Sequence, residues 1–173
     1  GLEHTYVEDV TLSNISVENV LASPPEEWIN RPVPEVSGKY PEARMFGMLT
    51  ASGLYCRHVR GLRLTNLAFQ VATGEQRSVI ICDDVRGLRV SGMSTTPTQG
   101  DQPVMKLVQS GDAWISACAA PAGTKAFLAI EGADSASILL SGCDLRKAEQ
   151  AVDTAGDVPP KAVETSGNIP EAH

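Results

Sequence analysis

Apolar residues along this chain alternate with polar ones in short runs, and the runs return at a fixed interval. In Leu62-Arg63-Leu64-Thr65-Asn66 the leucines stand two apart, and the same five-residue pattern recurs as Leu88-Arg89-Val90-Ser91-Gly92, Ala113-Trp114-Ile115-Ser116-Ala117, Ile138-Leu139-Leu140-Ser141-Gly142 and Val163-Glu164-Thr165-Ser166-Gly167. The shared Ser or Thr falls at 65, 91, 116, 141 and 166, in steps of 26, 25, 25 and 25. An earlier copy, Val10-Thr11-Leu12-Ser13-Asn14, lies 52 residues before Thr65, which is two periods. A period of two is the mark of a strand with one buried face, and a repeat of this length is the mark of a solenoid.

Each copy ends on Asn14, Asn66, Gly92, Ala117, Gly142 or Gly167. Asn and Gly tolerate the left-handed conformation that a sharp bend needs, so a bend is expected there, with Ala117 the exception. Alternation resumes beyond it, at Ile15 and Val17, Leu67 and Phe69, Met93 and Thr95, Cys118 and Ala120, Cys143 and Leu145, which predicts a second strand. A third precedes each copy, in Leu54-Tyr55-Cys56, Val79-Ile80-Ile81-Cys82, Val104-Met105-Lys106-Leu107 and Phe127-Leu128-Ala129-Ile130. Three short strands per coil, repeated about six times, describe an all-β right-handed parallel β-helix with coils about 4.8 Å apart. A leucine-rich repeat has a similar length, but it carries one strand per turn and an Asn where position 67 is Leu.

The period predicts one domain over residues 1–170, with a frayed tail at 171–173. Between Val20 and Gly53 it is broken by a proline-rich stretch, Ser23-Pro24-Pro25-Glu26-Glu27-Trp28 through Arg31-Pro32-Val33-Pro34 to Lys39-Tyr40-Pro41-Glu42. Proline removes a ladder donor, so residues 22–48 are expected to leave the coil as a long loop, pinned back by Trp28, Tyr40, Met45 and Phe46. Ala151 to Pro160, acidic and poor in large apolar groups, reads as a surface loop before the last coil. The abrupt first and last coils suggest open strand edges and a longer parent β-helix of which this chain is the C-terminal part, or self-association through those ends.

Composition narrows the function classes. No apolar run approaches the roughly 18 residues of a membrane span, so no membrane partner is expected. A net charge of -7 argues against nucleic acid. Cys56, Cys82, Cys118 and Cys143 form no Cys-x-x-Cys pair and read as buried thiols, Cys56 above Cys82 and Cys118 above Cys143. His4, His58 and His173 do not cluster with them, so neither a metal nor another cofactor is expected.

The stretches Val7-Glu8-Asp9-Val10-Thr11-Leu12-Ser13-Asn14-Ile15, Tyr40-Pro41-Glu42 with Met45-Phe46-Gly47, Gly53-Leu54-Tyr55-Cys56-Arg57-His58-Val59-Arg60-Gly61-Leu62 and Ile81-Cys82-Asp83-Asp84-Val85 resemble the C-terminal part of bacterial family 28 glycoside hydrolases. These are the polygalacturonase and rhamnogalacturonase group of the pectin-lyase-like fold. The resemblance covers roughly residues 1 to 95; the remainder agrees in period alone. It implies a pectic polysaccharide as the parent's substrate, an extracellular or periplasmic location, and inverting hydrolysis with one carboxylic acid on the leaving oxygen and others activating water.

The family's motifs, Asn-Thr-Asp, Asp-Asp, Gly-His-Gly and Arg-Ile-Lys, lie on earlier coils. This chain has no Asn-Thr-Asp, Gly-His-Gly or Arg-Ile-Lys, and its one Asp-Asp, Asp83-Asp84, follows the coils that would hold the site and reads as a solvated corner. No catalytic residue is carried over. A Ser-His-Asp grouping around His58 lacks the nucleophile-elbow pattern, and no phosphate-cradling Gly-rich loop is present. One charged feature stands out. Arg63 and Arg89 share an outward position on adjacent coils, as do Arg60 and Arg86 one bend earlier, with Arg57 and Arg77 nearby. Like charges opposed across strands need compensation, either from Glu75, Asp83 and Asp84 or from a bound anion such as a galacturonate carboxylate. Arg63, Arg89, Arg60 and Arg86 are therefore the candidate substrate-binding residues. The expected function is a segment of a pectin-active hydrolase, inactive by itself; the alternative is a non-catalytic β-helix module that binds carbohydrate or assembles.

Overall fold

The computed structural model describes residues 1–20, 24–36, 38, 42 and 45–169. In chain order the elements are β1 (Val7–Asn19), α1 (Glu26–Ile29), β2 (Ala51–Val71), β3 (Ser78–Ser91), β4 (Ser94–Thr95), β5 (Met105–Val108), β6 (Gly111–Ser116), β7 (Thr124–Glu131), β8 (Ala136–Ser141), β9 (Ala148–Thr154) and β10 (Val163–Ser166). All named strand pairs are parallel, and they wind into a β-solenoid of about five turns.

Two ladders diverge from the long strands. The first runs from the N-terminal half of β2 through β3, β5 and β7 to β9; the second runs from β1 through β2, β3, β6 and β8 to β10. Six copies of the repeated pentapeptide stack in the second ladder, whereas the first has five rungs, so the full turns number about five, not six. The register is the predicted one, with Thr65 opposite Ser91, Ser91 opposite Ser116, and Ser116 opposite Ser141.

Corners form where the backbone turns left-handed. One stack of positive φ runs Asn14, Asn66, Gly92, Ala117, Gly142 and Gly167; a second runs Asp9, Gly61, Gly87, Asp112 and Ser137; a third runs His58, Asp84 and Gln109. A Cβ added at Gly61 would stand 2.7 Å from Asp9 Oδ1, so the Asp9 carboxylate would have to turn aside to admit it. At the first corner Asn66 Nδ2 donates to Asn14 Oδ1 at 2.8 Å, so the side chains ladder too.

Alternate residues between corners point inward. Leu62, Leu64, Leu88, Val90, Ile115, Ile138 and Leu140 form a continuous buried column with Ile80, Met105, Leu107, Leu128 and Ile130 from the other ladder. Burying each such side chain contributes about 1.5–3 kcal/mol, so this column is the main stabilising element. Cys56 lies opposite Cys82, and the Ala119 to Asp144 bridge sets Cys118 over Cys143. All four thiols are free, and Cys56 is half-buried where full burial was expected.

The strand beyond the first corner weakens along the solenoid. It pairs fully between β1 and β2, shrinks to β4, and ends as single bridges at Ala119, Asp144 and Ile169. Pro97 and Pro121 stand just after the shortened segments, where a missing N–H ends the ladder. The expected surface loop at Ala151 to Pro160 is strand as far as Thr154, because β9 pairs with β7 and Val152 stands opposite Leu128; small outward residues do not prevent pairing when the inward ones fit. Among the described residues no helix is long and apolar enough to cross a membrane.

Among its described residues the proline-rich segment carries α1 and no strand; Tyr40, residues 22–23 and the tail at 171–173 lie outside the described residues. Its pinning is polar as much as aromatic. Arg57 donates to Val33 O (2.7 Å) and Pro34 O (2.9 Å), Thr50 to Ile29 O (2.8 Å), and Arg31 Nη2 to Phe46 O and Met48 O. Trp28, Met45 and Phe46 are only half-buried.

Candidate functional site

The outer face of the first ladder carries a charged network beneath the proline-rich loop. Tyr55 OH donates to Asp83 Oδ2 at 2.9 Å, across adjacent rungs. Lys106, 6% exposed, pairs with Glu131 Oε1 at 3.0 Å and donates to Asn30 Oδ1 at 3.0 Å on the loop. A cleft of about 300 Å³ lies between loop and sheet, lined by Asn30, Thr50, Tyr55, Asp83, Lys106 and Glu131 among others. Burial, then the charge of Asp83, pushes the Tyr55 phenol well up, so it stays a donor at any ordinary pH.

At the corner beside this face, His58 is held between two carboxylates. Its Nδ1 lies 2.7 Å from Asp84 Oδ2 and its Nε2 lies 3.0 Å from Glu35 Oε1, while Arg57 Nε reaches the same Glu35 oxygen at 3.1 Å. Burial alone would lower the imidazole's pKa; hydrogen bonds to Asp84 and Glu35 reverse this and raise it. The carboxylates here are answered locally. Asp83, Asp84, Glu131 and Glu35 are each held by a phenol, an imidazole or a cation, so the face acts as a clamp on the loop. Asp83 and Asp84, expected as a solvated corner, are instead half-buried and bonded, because the loop covers them.

The second ladder is organised differently. Its outward stack runs Thr11, Arg63, Arg89, Trp114, Leu139 and Glu164. The two predicted arginine pairs are indeed Cα partners, Arg60 with Arg86 and Arg63 with Arg89. Their expected compensation by Glu75, Asp83 and Asp84 is not made: Glu75 binds Arg77, Asp83 binds Tyr55, and Asp84 binds His58. Local groups serve instead. Arg60 lies 4.0 Å over the Tyr6 ring. Arg86 Nη1 donates to Asp134 O at 3.1 Å. Arg89 Nη1 donates to Leu88 O (2.9 Å) and Asp112 O (2.8 Å), and its Nη2 reaches Asp112 Oδ1 at 3.3 Å. Arg63 has neither an ion pair nor a hydrogen bond among the described residues.

Beside it lies a shallow cleft of about 270 Å³ lined by Arg63, Arg89, Val90, Ser91, Trp114 and Ser116. Trp114 is 48% exposed, and its Nε1–H donates to Ser141 Oγ at 2.7 Å. The sequence reasoning missed both Trp114 and the His58 to Asp84 contact. The period could have found them, because Trp114 is 25 residues after Arg89 and Asp84 is 26 after His58.

No family model, curated protein or solved structure matches this chain. Among the described residues no group of three or more His, Cys, Asp or Glu side chains is placed to hold a metal ion.

Proposed function

We propose that this chain is the C-terminal β-helix segment of a pectin-active, polygalacturonase-like glycoside hydrolase, and that alone it binds pectic polysaccharide without cleaving it. The observation that carries the reading is where the family-like stretches fall. Val7 to Ile15, Gly53 to Leu62 and Ile81 to Val85 lie far apart in sequence yet stack as three consecutive rungs, with Val7 opposite Val59 and Val59 opposite Val85. Three of the four family-like stretches thus occupy one contiguous block, while the fourth, at residues 40–47, falls in the proline-rich segment. Inactivity is supported by the carboxylates. Inverting hydrolysis needs two of them across a gap wide enough for a water, roughly 6.5–9.5 Å, and free to exchange protons. On the face beneath the loop each carboxylate is already committed to a neighbour.

The test is to incubate the purified chain with polygalacturonate and with rhamnogalacturonan, measuring retention in affinity electrophoresis and release of reducing ends. Retention without release is the expected result. Release of reducing or unsaturated sugars overturns the inactive reading, and failure to retain any pectic polymer overturns the pectin reading.

A second reading, a non-catalytic module that assembles with copies of itself, is favoured by β1, which among the described residues pairs only with β2 and leaves Val7 and Ile15 46% and 38% exposed. Sedimentation of a discrete trimer at micromolar concentration would support it, and a monomer would remove it.

A further inference from the structure

We propose that the cleft between Arg63 and Trp114 is a binding site for a single uronic acid residue, whose ring lies on the indole and whose carboxylate accepts from the Arg63 guanidinium. The proposal deepens the pectin reading above, on which it rests only for the identity of the polymer.

Three features converge on this ligand class. The first is the platform. Trp114 occupies an outward position of a solenoid rung with nearly half its surface in solvent, where apolar area gains nothing for the fold. Its hydrogen bond to Ser141 Oγ fixes the ring, so a face is presented without the entropy cost of ordering it. A flat, half-apolar ligand would cover that face.

The second is an uncompensated charge. Arg89 has its terminal nitrogens donated to Leu88 O, Asp112 O and Asp112 Oδ1, so its charge is locally answered. Arg63, one rung away and lining the same cleft, has no ion pair or hydrogen bond among the described residues. An Arg–Arg pair at strand spacing is repulsive until an anion enters, and a guanidinium fork matches a carboxylate in plane and spacing. This asymmetry separates the two arginines that the sequence treats alike.

The third is the lining between platform and charge. Ser91 and Ser116 line the cleft on the rungs of Arg89 and Trp114. Ser116 donates to Val90 O at 3.3 Å, which leaves its oxygen lone pairs as acceptors. Hydroxyls of this kind match the hydroxyls of a sugar ring. Arg63 and Trp114 are two rungs apart, about 10 Å between Cα atoms at 4.8 Å per rung, and both side chains line one cleft that is close to the small end of ligand-site volumes, about 300 Å³. A ring with a carboxylate at its edge fits the combination. A bare anion would leave the indole unused, and a neutral sugar would leave Arg63 unanswered.

The experiment uses Trp114 as its own reporter. The chain has two tryptophans, so Trp28→Phe makes Trp114 the only indole, and its fluorescence is titrated with trigalacturonate, oligomannuronate, neutral galactotriose and a mononucleotide. A saturable change with trigalacturonate is expected, with galactotriose at least tenfold weaker. Arg63→Gln weakens trigalacturonate by about tenfold, the effect of losing one charge-assisted contact, while Arg89→Gln changes it by less than about threefold. Arg63 is exposed and Arg89 half-buried, so an unchanged melting curve is required of each variant as the check that it folds.

A change absent with every sugar, equal binding of the neutral sugar, or tighter binding of the mononucleotide each overturns the proposal. Polygalacturonate retention that survives both Arg63→Gln and Trp114→Ala removes the cleft and leaves the proposed function standing. Trp114-dependent binding of oligomannuronate but not of trigalacturonate removes the pectin reading and leaves a uronate cleft.

Discussion

Replacing Glu75 by Gln should destabilise the solenoid more than any other isosteric change on the molecule. Glu75 is 0% exposed and Arg77 2%, and they pair within a turn that joins β2 to β3. Glu75 Oε1 accepts from the backbone N–H groups of Gln76 (3.0 Å) and Arg77 (2.9 Å) and from Arg77 Nε (2.9 Å). Its Oε2 accepts from Arg77 Nη2 (2.7 Å) and from Asn19 Nδ2 (3.2 Å) on the first rung. Arg77 Nη1 donates to Leu49 O at 2.9 Å, so the carboxylate ties together the turn, the first rung and the end of the proline-rich loop. Glutamine can keep one oxygen's contacts, but it offers an N–H₂ toward Arg77 Nη2 and leaves a guanidinium buried without a counter-charge. Breaking a buried pair from one side costs about 3–5 kcal/mol. For a chain of this length that is a fall in Tm of roughly 6–20 °C.

The same carboxylate gives a pH signature. Burial alone would raise its pKa, but hydrogen bonds from Arg77 outweigh this and hold it below 4.5, so its contribution is complete above pH 4.5 and is lost as the pH falls through the lowered native value. Urea unfolding followed by circular dichroism, for both proteins between pH 3 and 7, measures the effect. The gap between them should be widest at neutral pH and close on acidification. A gap under about 1 kcal/mol at pH 7, or one that does not narrow in acid, refutes the assignment of Glu75 as a charged tether.

Two further outcomes follow from the corners. Because hydrogen bonds raise the native pKa of His58 above 6.5, its clamp on Glu35 is complete below pH 6.5 and weakens as the pH rises through the native value; limited proteolysis at residues 32–36 should accelerate over that range, and Asp84→Asn should flatten the profile. Ala117 sits at φ 51° in a stack whose other members are Asn and Gly, so Ala117→Gly should relieve about 1–2 kcal/mol of left-handed strain against about 0.5–1 kcal/mol of added chain entropy, a net gain of under about 1.5 kcal/mol visible as a small rise in Tm; a fall would show that the corner is not strained.

The inward half of this protein is readable from sequence because it repeats under one constraint. Leu64, Val90, Ile115 and Leu140 must each cover the one before, so the period survives in residue type as well as spacing. The corner at Asn14, Asn66, Gly92, Gly142 and Gly167 is readable for the same reason, since few residues accept positive φ, and Ala117 departs from it by bearing strain; the other two corners pass through His58, Gln109, Asp112 and Ser137 and are not marked by residue type. The pinning of the proline-rich loop was not legible. Arg57, Thr50 and Arg31 hold it by its carbonyl oxygens, and every residue has one, so no residue type marks the acceptors. Glu75 escaped for a related reason: its partners come from its own turn, two residues away, and from a rung 56 residues earlier, neither of which is the period of the coil.

The outward positions separate structural stacking from a site. Where a solenoid uses an outward stack for stability, the stack tends to answer itself, as Asn14 with Asn66 does at the corner and Tyr55 with Asp83, or Lys106 with Glu131, does beneath the loop. The stack of Thr11, Arg63, Arg89, Trp114, Leu139 and Glu164 does not: it changes from hydroxyl to cation to indole to aliphatic to acid, and of its two cations Arg89 alone engages Asp112. Mutual repulsion of Arg63 and Arg89 costs stability in the free protein, and among the described residues no contact recovers it at Arg63. A position that costs the folded state something and returns nothing within it is where binding energy is available, because an arriving carboxylate is then credited with relieving the repulsion as well as with its own hydrogen bonds. That difference, more than the number of arginines on the surface, marks Arg63 with Trp114, rather than Arg60 or Arg86, as the place where an acidic sugar should bind.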